Sequence, residues 1–139
     1  MGNVQSMRKI NFEDMQTATK NPEVYLIINT LSATEQQCLI KSTVGLDQEE
    51  AIINKYIKEN KGIKIIIYGK NSHDDLVHKK YQQLTTLGFQ NVYAYMGGIF
   101  EWLLLQDIYG HEIFPTSKKE LDLLRYKPPP ILNISLLTN

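Results

Sequence analysis

A chain of 139 residues that is 42% hydrophobic and 22% charged can bury one core of ordinary size and has no room for a second domain. Fifteen Lys and Arg balance fifteen Asp and Glu, so the formal net charge is zero and the basic excess expected of a nucleic-acid binder is missing; His78-Lys79-Lys80 reads as a solvated helix face. No run of about eighteen apolar residues marks a membrane span, and no charged-then-apolar secretory signal opens the chain.

The first predicted element is a helix capped by Asn11, with Glu13 and Asp14 in its first turn and an end near Asn21-Pro22. An apolar strand follows from Val24 to Thr30. Ser32-Ala33-Thr34-Glu35 is a capping-box pattern that opens a short helix, and Leu39-Ile40-Lys41-Ser42-Thr43-Val44 reads as a second strand. Asp47-Gln48-Glu49-Glu50 starts a longer helix whose Ile52, Ile53, Tyr56 and Ile57 make one apolar stripe before Asn60-Lys61-Gly62 ends it. Ile65-Ile66-Ile67-Tyr68 is an uninterrupted apolar run, suited to a strand buried on both faces, and Gly69-Lys70-Asn71-Ser72-His73-Asp74-Asp75 is too polar to continue it. The next helix runs from Asp75 to Leu87, with Leu76, Val77, Tyr81, Leu84 and Leu87 on its buried side, and stops at Gly88. Val92-Tyr93-Ala94-Tyr95 is another strand, after which Gly97-Gly98 turns the chain into a helix over Ile99 to Asp107. Strands alternating with helices predict one α/β domain with a mainly parallel central sheet and helices on both faces. The loop of residues 69–75 then lies at a strand's carboxyl end, where open α/β sheets bind ligands.

Tyr68, Gly88-Phe89, Asn91-Val92, Gly97-Gly98 and Trp102 fall at nearly the spacing of a family pattern. In that pattern an apolar strand ends in Tyr-Cys, a short loop leads to a helix ending in Gly-Phe-x-Asn-Val, and the next strand is followed by Gly-Gly-x-x-x-Trp. On these residues the chain resembles the rhodanese-like domains over about residues 10 to 110, closely in the second half and loosely in the first. In the first half, Asn29-Thr30-Leu31 stands in place of Asp-x-Arg and Leu39–Val44 in place of His-Ile-x-Gly-Ala. The resemblance implies a single rhodanese-like domain over residues 10–115, flanked by an N-terminal arm of residues 1–9 and a C-terminal extension of residues 116–139.

The same resemblance implies where chemistry would occur. In an active sulfurtransferase a cysteine follows the tyrosine, its thiolate held by successive backbone N–H groups and the positive end of the next helix. Here that position is Gly69, which offers no atom to carry a sulfane sulfur or a phosphoryl group. The degenerate loop of Gly69, Lys70, Asn71, Ser72, His73, Asp74 and Asp75 also lacks an arginine to hold an anionic substrate. Asp74 and Asp75 complement the following helix dipole and cap its N–H groups, taking the place an anion would occupy. The expectation is a noncatalytic protein-binding or scaffolding module with no catalytic residue, metal or cofactor, since noncatalytic members of the family serve as regulatory or docking modules. The alternatives are a sulfurtransferase using Cys38, a carboxylate-based activity at Asp74 and Asp75, and a small-molecule binder at the loop.

A single cysteine, Cys38, excludes an internal disulfide and a cysteine-based metal cluster, and its place before the second strand marks it as a packing residue. His73, His78 and His111 have no metal-ligand spacing. Ser72-His73-Asp74 names the members of a hydrolase triad, but neighbours in a tight loop point apart.

The two flanks carry attachment signals. Met1-Gly2-Asn3-Val4-Gln5-Ser6 fits the pattern for N-myristoylation of Gly2, which would hold a cytoplasmic protein at the cytoplasmic face of a membrane. One such chain gives an association constant of only about 10^4 M⁻¹, so Arg8 and Lys9 or a protein partner must supply a second contact. At the other end, Thr116-Ser117-Lys118-Lys119-Glu120 predicts a capped helix through Leu121, Leu123 and Leu124, followed by extended Lys127-Pro128-Pro129-Pro130. The apolar tail from Ile131 to Leu137 is expected to pack, on its own domain in the first place or else on a partner, and Asn133-Ile134-Ser135 is an incidental glycosylation acceptor. A protein partner or a second copy of the chain is expected; nucleic acid is not.

Overall fold

The strand Lys64–Tyr68 (β3) organises the molecule, because its alternate side chains supply the centre of two separate cores. A computed structural model describes residues 6–132. Before β3 come β1 (Lys9–Ile10), α1 (Phe12–Lys20), β2 (Tyr25–Asn29) and α2 (Leu46–Glu59); after it come α3 (Asp75–Thr86), β4 (Asn91–Tyr95) and α4 (Gly98–Tyr109). The sheet order is β1-β4-β3-β2 and every pairing is parallel, with Ile27 opposite Ile66 and Ile66 opposite Tyr93. Ile65 and Ile67 join Ile28, Ile53, Val77, Tyr81 and Leu84 under α2 and α3. Ile66 and Tyr68 join Met15, Ala18, Ile99, Trp102 and Leu103 under α1 and α4. The predicted parallel sheet with helices on both faces is therefore present, and the unbroken apolar run in β3 follows from its burial on both sides.

Four expectations are corrected. Leu39 to Val44 is not a continuous strand: Ser42 takes a left-handed conformation (φ 72°) and Thr43 N–H closes a turn on the Ile40 carbonyl at 3.1 Å. Ile40 then bridges Thr116, while only Thr43 bridges β2, at Ile27. The residues before α1 are not wholly a free arm, since β1 pairs with β4, Met7 is buried and Arg8 N–H donates to the Tyr81 hydroxyl at 3.2 Å. Leu76 and Leu87 are exposed, because the buried stripe of α3 is Val77, Tyr81 and Leu84 and they stand one position off it.

The C-terminal extension is the fourth correction. No helix starts at Thr116; Lys41 and Ser117 donate to the Pro115 and Leu39 carbonyls at 3.1 and 2.8 Å, so backbone groups a helix would use are spent across the chain. Among the described residues of the extension only Leu123–Tyr126 makes a short 3-10 turn, and Leu121 and Leu124 are exposed. Thr116 and Tyr126 are nonetheless buried, Tyr126 in the core beside α4, so the packed domain continues well beyond residue 115. Ile131 and Leu132 are 92% and 84% exposed, against the expected packing of the tail; Asn133 to Leu137 lie outside the described residues.

Candidate functional site: the loop after β3

Residues 69–74 sit between the end of β3 and the start of α3, and α4 approaches them from the side. Ile99 and Phe100, in the first turn of α4, donate their N–H groups to the Gly69 and Lys70 carbonyls, each at 3.0 Å. This close approach explains the paired glycines: Gly98 has φ +67°, and a Cβ there would lie 2.6 Å from the Gly69 carbonyl oxygen. The helix end that would face an anion in another setting is thus joined to the loop backbone.

Asp74 holds the loop's interior. It is the N-cap of α3, with Oδ1 accepting the Leu76 N–H at 3.0 Å, as its position before the helix predicts. Its Oδ2 accepts from the Lys70 N–H and from the Thr30 hydroxyl, both at 3.0 Å. The carboxylate therefore lies inside the turn as an internal anion. Asp75 opens α3 in its first turn, where a negative charge complements the dipole. Asn71 is buried; its amide donates to the Tyr126 carbonyl at 2.8 Å and its Oδ1 accepts the His73 N–H at 2.9 Å. Ser72 Oγ and His73 Nδ1 are 3.2 Å apart, but the Asp74 carboxylate is directed to Thr30, Lys70 and Leu76, so the three adjacent residues form no relay.

Gly69 leaves no space for a side chain. A Cβ placed on it would run into Asp74 Oδ2 and lie 2.7 Å from both Thr30 Oγ1 and Val77 Cγ2. Lys70 turns outward and pairs with Glu35, Nζ to Oε2 at 3.1 Å. Burial raises the Glu35 pKa, but hydrogen bonds from Lys70 and Ser32 and the Lys70 charge outweigh it and bring the carboxyl below its usual range. An open cleft of about 320 Å³ remains outside the loop, between Thr30, Ser32, Glu35, Lys70, His73 and Pro129.

Cys38 is not part of this loop. It is buried in the core under α1 and α4, its thiol donates to the Lys118 carbonyl at 3.2 Å, and burial raises its pKa. Tyr68, the residue before Gly69, is fully buried; its hydroxyl accepts the Ile40 N–H at 3.1 Å, lies 2.8 Å from Thr43 Oγ1, and has a strongly raised pKa through burial. Among the described residues, no three His, Cys, Asp or Glu side chains gather as a metal site. Gly2 lies outside the described residues.

Sequence reasoning missed Thr30, Glu35 and Tyr126 as supports of the loop. Thr30 comes one residue after β2, so the parallel pairing of β2 with β3 places it against the loop, a relation no local pattern reveals. Tyr126 reaches Asn71 across 55 residues of sequence.

Comparison with known proteins agrees with this architecture. The family model described as the rhodanese-like domain matches residues 12–105. The rhodanese-like domain of the Alr3790 protein from Anabaena sp. is 17% identical, with 92% of this chain and 89% of that one covered and a TM-score of 0.58. A single-domain sulfurtransferase of Saccharomyces cerevisiae is 11% identical over 77% of this chain and 97% of that chain, with a TM-score of 0.55. Thiosulfate sulfurtransferase from Pseudomonas aeruginosa is 18% identical over 69% of this chain but only 18% of its own length, with a TM-score of 0.51. No curated protein matches the chain by sequence. With the family model spanning most of the chain and the same parallel architecture built around β3, the chain belongs to the rhodanese-like domain family.

Proposed function

We propose that this chain is a noncatalytic rhodanese-like module that binds or scaffolds protein at the carboxyl edge of its sheet. The observation that carries this reading is the space beside Gly69, the residue the resemblance sets against the family's nucleophile, which is filled by the Asp74 carboxylate and by Val77. Two of the similar structures are named as sulfurtransferases, so the fold accommodates sulfur transfer where the right residues are present. In this chain the loop offers neither a thiol nor an arginine, and an anionic sulfur donor would meet a carboxylate. Cys38 makes a poor substitute, because a buried thiol with a raised pKa is scarcely ionised at neutral pH.

Purified protein is expected to transfer no sulfur from thiosulfate to cyanide above the buffer rate, and Cys38→Ser is expected to change nothing. Activity abolished by Cys38→Ser would establish the sulfurtransferase reading instead. Binding is tested separately, with tagged protein recovered from its own cells. A retained protein partner should be lost when the exposed rim of the loop is blocked by bulk in Ser72→Trp.

The reading includes a tether. Gly2 stands in an acylation pattern, and among the described residues no helix is long and apolar enough to cross a membrane, so a lipid on Gly2 would place the module at the cytoplasmic face. Intact mass of protein made in eukaryotic cells should show loss of Met1 and gain of one myristoyl group, and Gly2→Ala should remove the gain. An unmodified amino terminus in cells with active myristoyltransferase would sink the tether and leave the binding module untouched.

A further inference from the structure

We propose that the groove along the carboxyl edge of the sheet takes an extended peptide carrying an aliphatic side chain followed by a basic one. The inference rests on the protein-binding reading and gives it a partner chemistry. The cleft beside the loop continues into a second hollow of about 300 Å³ between α2 and α3, with Thr30, Leu31 and Leu76 in both. That hollow shares Leu46 with a third, of about 500 Å³, lined by Ala33, Gln36 and Leu39. The result is a run of adjoining hollows, each of a size that accepts a side chain, along one edge of the domain.

Two features define what fits. Leu46 and Leu76 are 40% and 51% exposed in the groove wall while Leu31 is buried at its floor, which gives an aliphatic side chain three leucines to cover. Beside them Glu49 is only 9% exposed, and its Oε2 accepts from Lys80 Nζ at 2.6 Å. Its Oε1 is buried and has no donor among the described residues. A buried carboxylate oxygen left without a donor is an unfavourable arrangement that an incoming N–H or ammonium group corrects. Leu46 and Leu76, half-exposed at the surface, line the same hollow as Glu49.

The unpartnered Glu49 oxygen calls for a donor, and the formal balance of the lining, one carboxylate in excess, favours a base over an acid. The three hollows are lined by four carboxylates, Glu35, Asp47, Glu49 and Asp74, against three lysines, Lys70, Lys79 and Lys80. Lys70 and Lys80 are already paired with Glu35 and Glu49. A guanidinium group suits Glu49 best, because it brings several donors in a fixed plane.

The test is fluorescence anisotropy with a fluorescein-labelled peptide of serine and glycine carrying a central leucine–arginine pair. Leucine–glutamate and serine–arginine versions serve as comparators. The leucine–arginine peptide is expected to bind saturably and roughly tenfold more tightly than either comparator. Leu76→Ser and Glu49→Gln should each weaken it by about tenfold. Leu76 is exposed, so Leu76→Ser keeps its fold, checked by thermal unfolding, even if Glu49→Gln does not. Absence of saturable binding, equal binding of the comparators, or indifference to Leu76→Ser overturns the proposal. A cellular partner that stays bound to the Leu76→Ser protein and is lost with Ser72→Trp overturns this groove while leaving the protein-binding reading in place.

Discussion

Gly69→Cys, which would put a thiol directly after Tyr68, is expected to destabilise the protein by roughly 2–4 kcal/mol and to produce no sulfurtransferase. The new Cβ alone collides with Asp74 Oδ2 and presses on Thr30 Oγ1 and Val77 Cγ2, each 2.7 Å away. Overpacking of this kind costs about 1–3 kcal/mol, and displacing the Asp74 side chain forfeits an N-cap of about 1 kcal/mol. Gly69→Ala should show most of the same loss, since the conflict begins at Cβ. Asp74→Ala alone should cost about 1 kcal/mol through the lost cap and the unpaired Thr30 and Lys70 donors. The double variant should be more stable than the sum of the singles predicts, by about 1 kcal/mol or more, because the first substitution removes what the second meets. Urea unfolding of the parent and these four variants measures this. A Gly69→Cys protein as stable as the parent would mean that the loop relaxes freely and that Asp74 does not fill it.

Trp102→Ala is expected to have the largest effect of any single substitution, a loss of about 3–5 kcal/mol. Trp102 is fully buried and stands edge-on to Tyr95 and Phe114, with ring centroids 6.1 and 5.0 Å away. Its indole N–H donates to the Pro115 carbonyl at 3.1 Å, so the side chain joins α4 to the returning C-terminal segment. Against a total stability of about 5–15 kcal/mol, this loss removes about a fifth or more of the whole. Trp102→Phe keeps much of the ring and loses the hydrogen bond, and should cost about half as much. The check is the denaturation midpoint together with protease sensitivity of residues 111–126, which should rise in Trp102→Ala because their docking is what the indole secures. A loss below about 1 kcal/mol would contradict the burial of Trp102 between α4 and that segment.

The two variants probe different aspects of the same economy of space. Around Trp102 the chain has filled a family position with the expected large ring and built its C-terminal extension against it. Around Gly69 the space beside the backbone is filled with a carboxylate from the chain's own loop. The second arrangement stabilises α3 through its N-cap and, by the same bonds, supplies the anion that the turn would otherwise be free to receive.

Amino-acid order alone determined the elements whose cause is local. The unbroken Ile65–Tyr68 run suits a strand buried on both faces, Asn11 and Asp74 each cap a helix within a few residues of themselves, and Gly97-Gly98 marks the turn into α4. The absence of a cysteine and an arginine from residues 69–75 is equally a matter of sequence, as is Asp74 standing at a helix start. Tertiary structure decided everything that depends on residues far apart in the chain. It directed the second oxygen of Asp74 to Thr30, tied Asn71 to Tyr126, drew Lys9 and Ile10 into the sheet and used Leu39 to Lys41 to hold Pro115 to Ser117 extended. It also left Leu76 in a groove beside Glu49 rather than in the core. The physical reason is the range of the interactions: caps, turns and hydrophobic periodicity act over one or two helical turns, whereas the partner of a buried polar group is whichever element the fold places beside it.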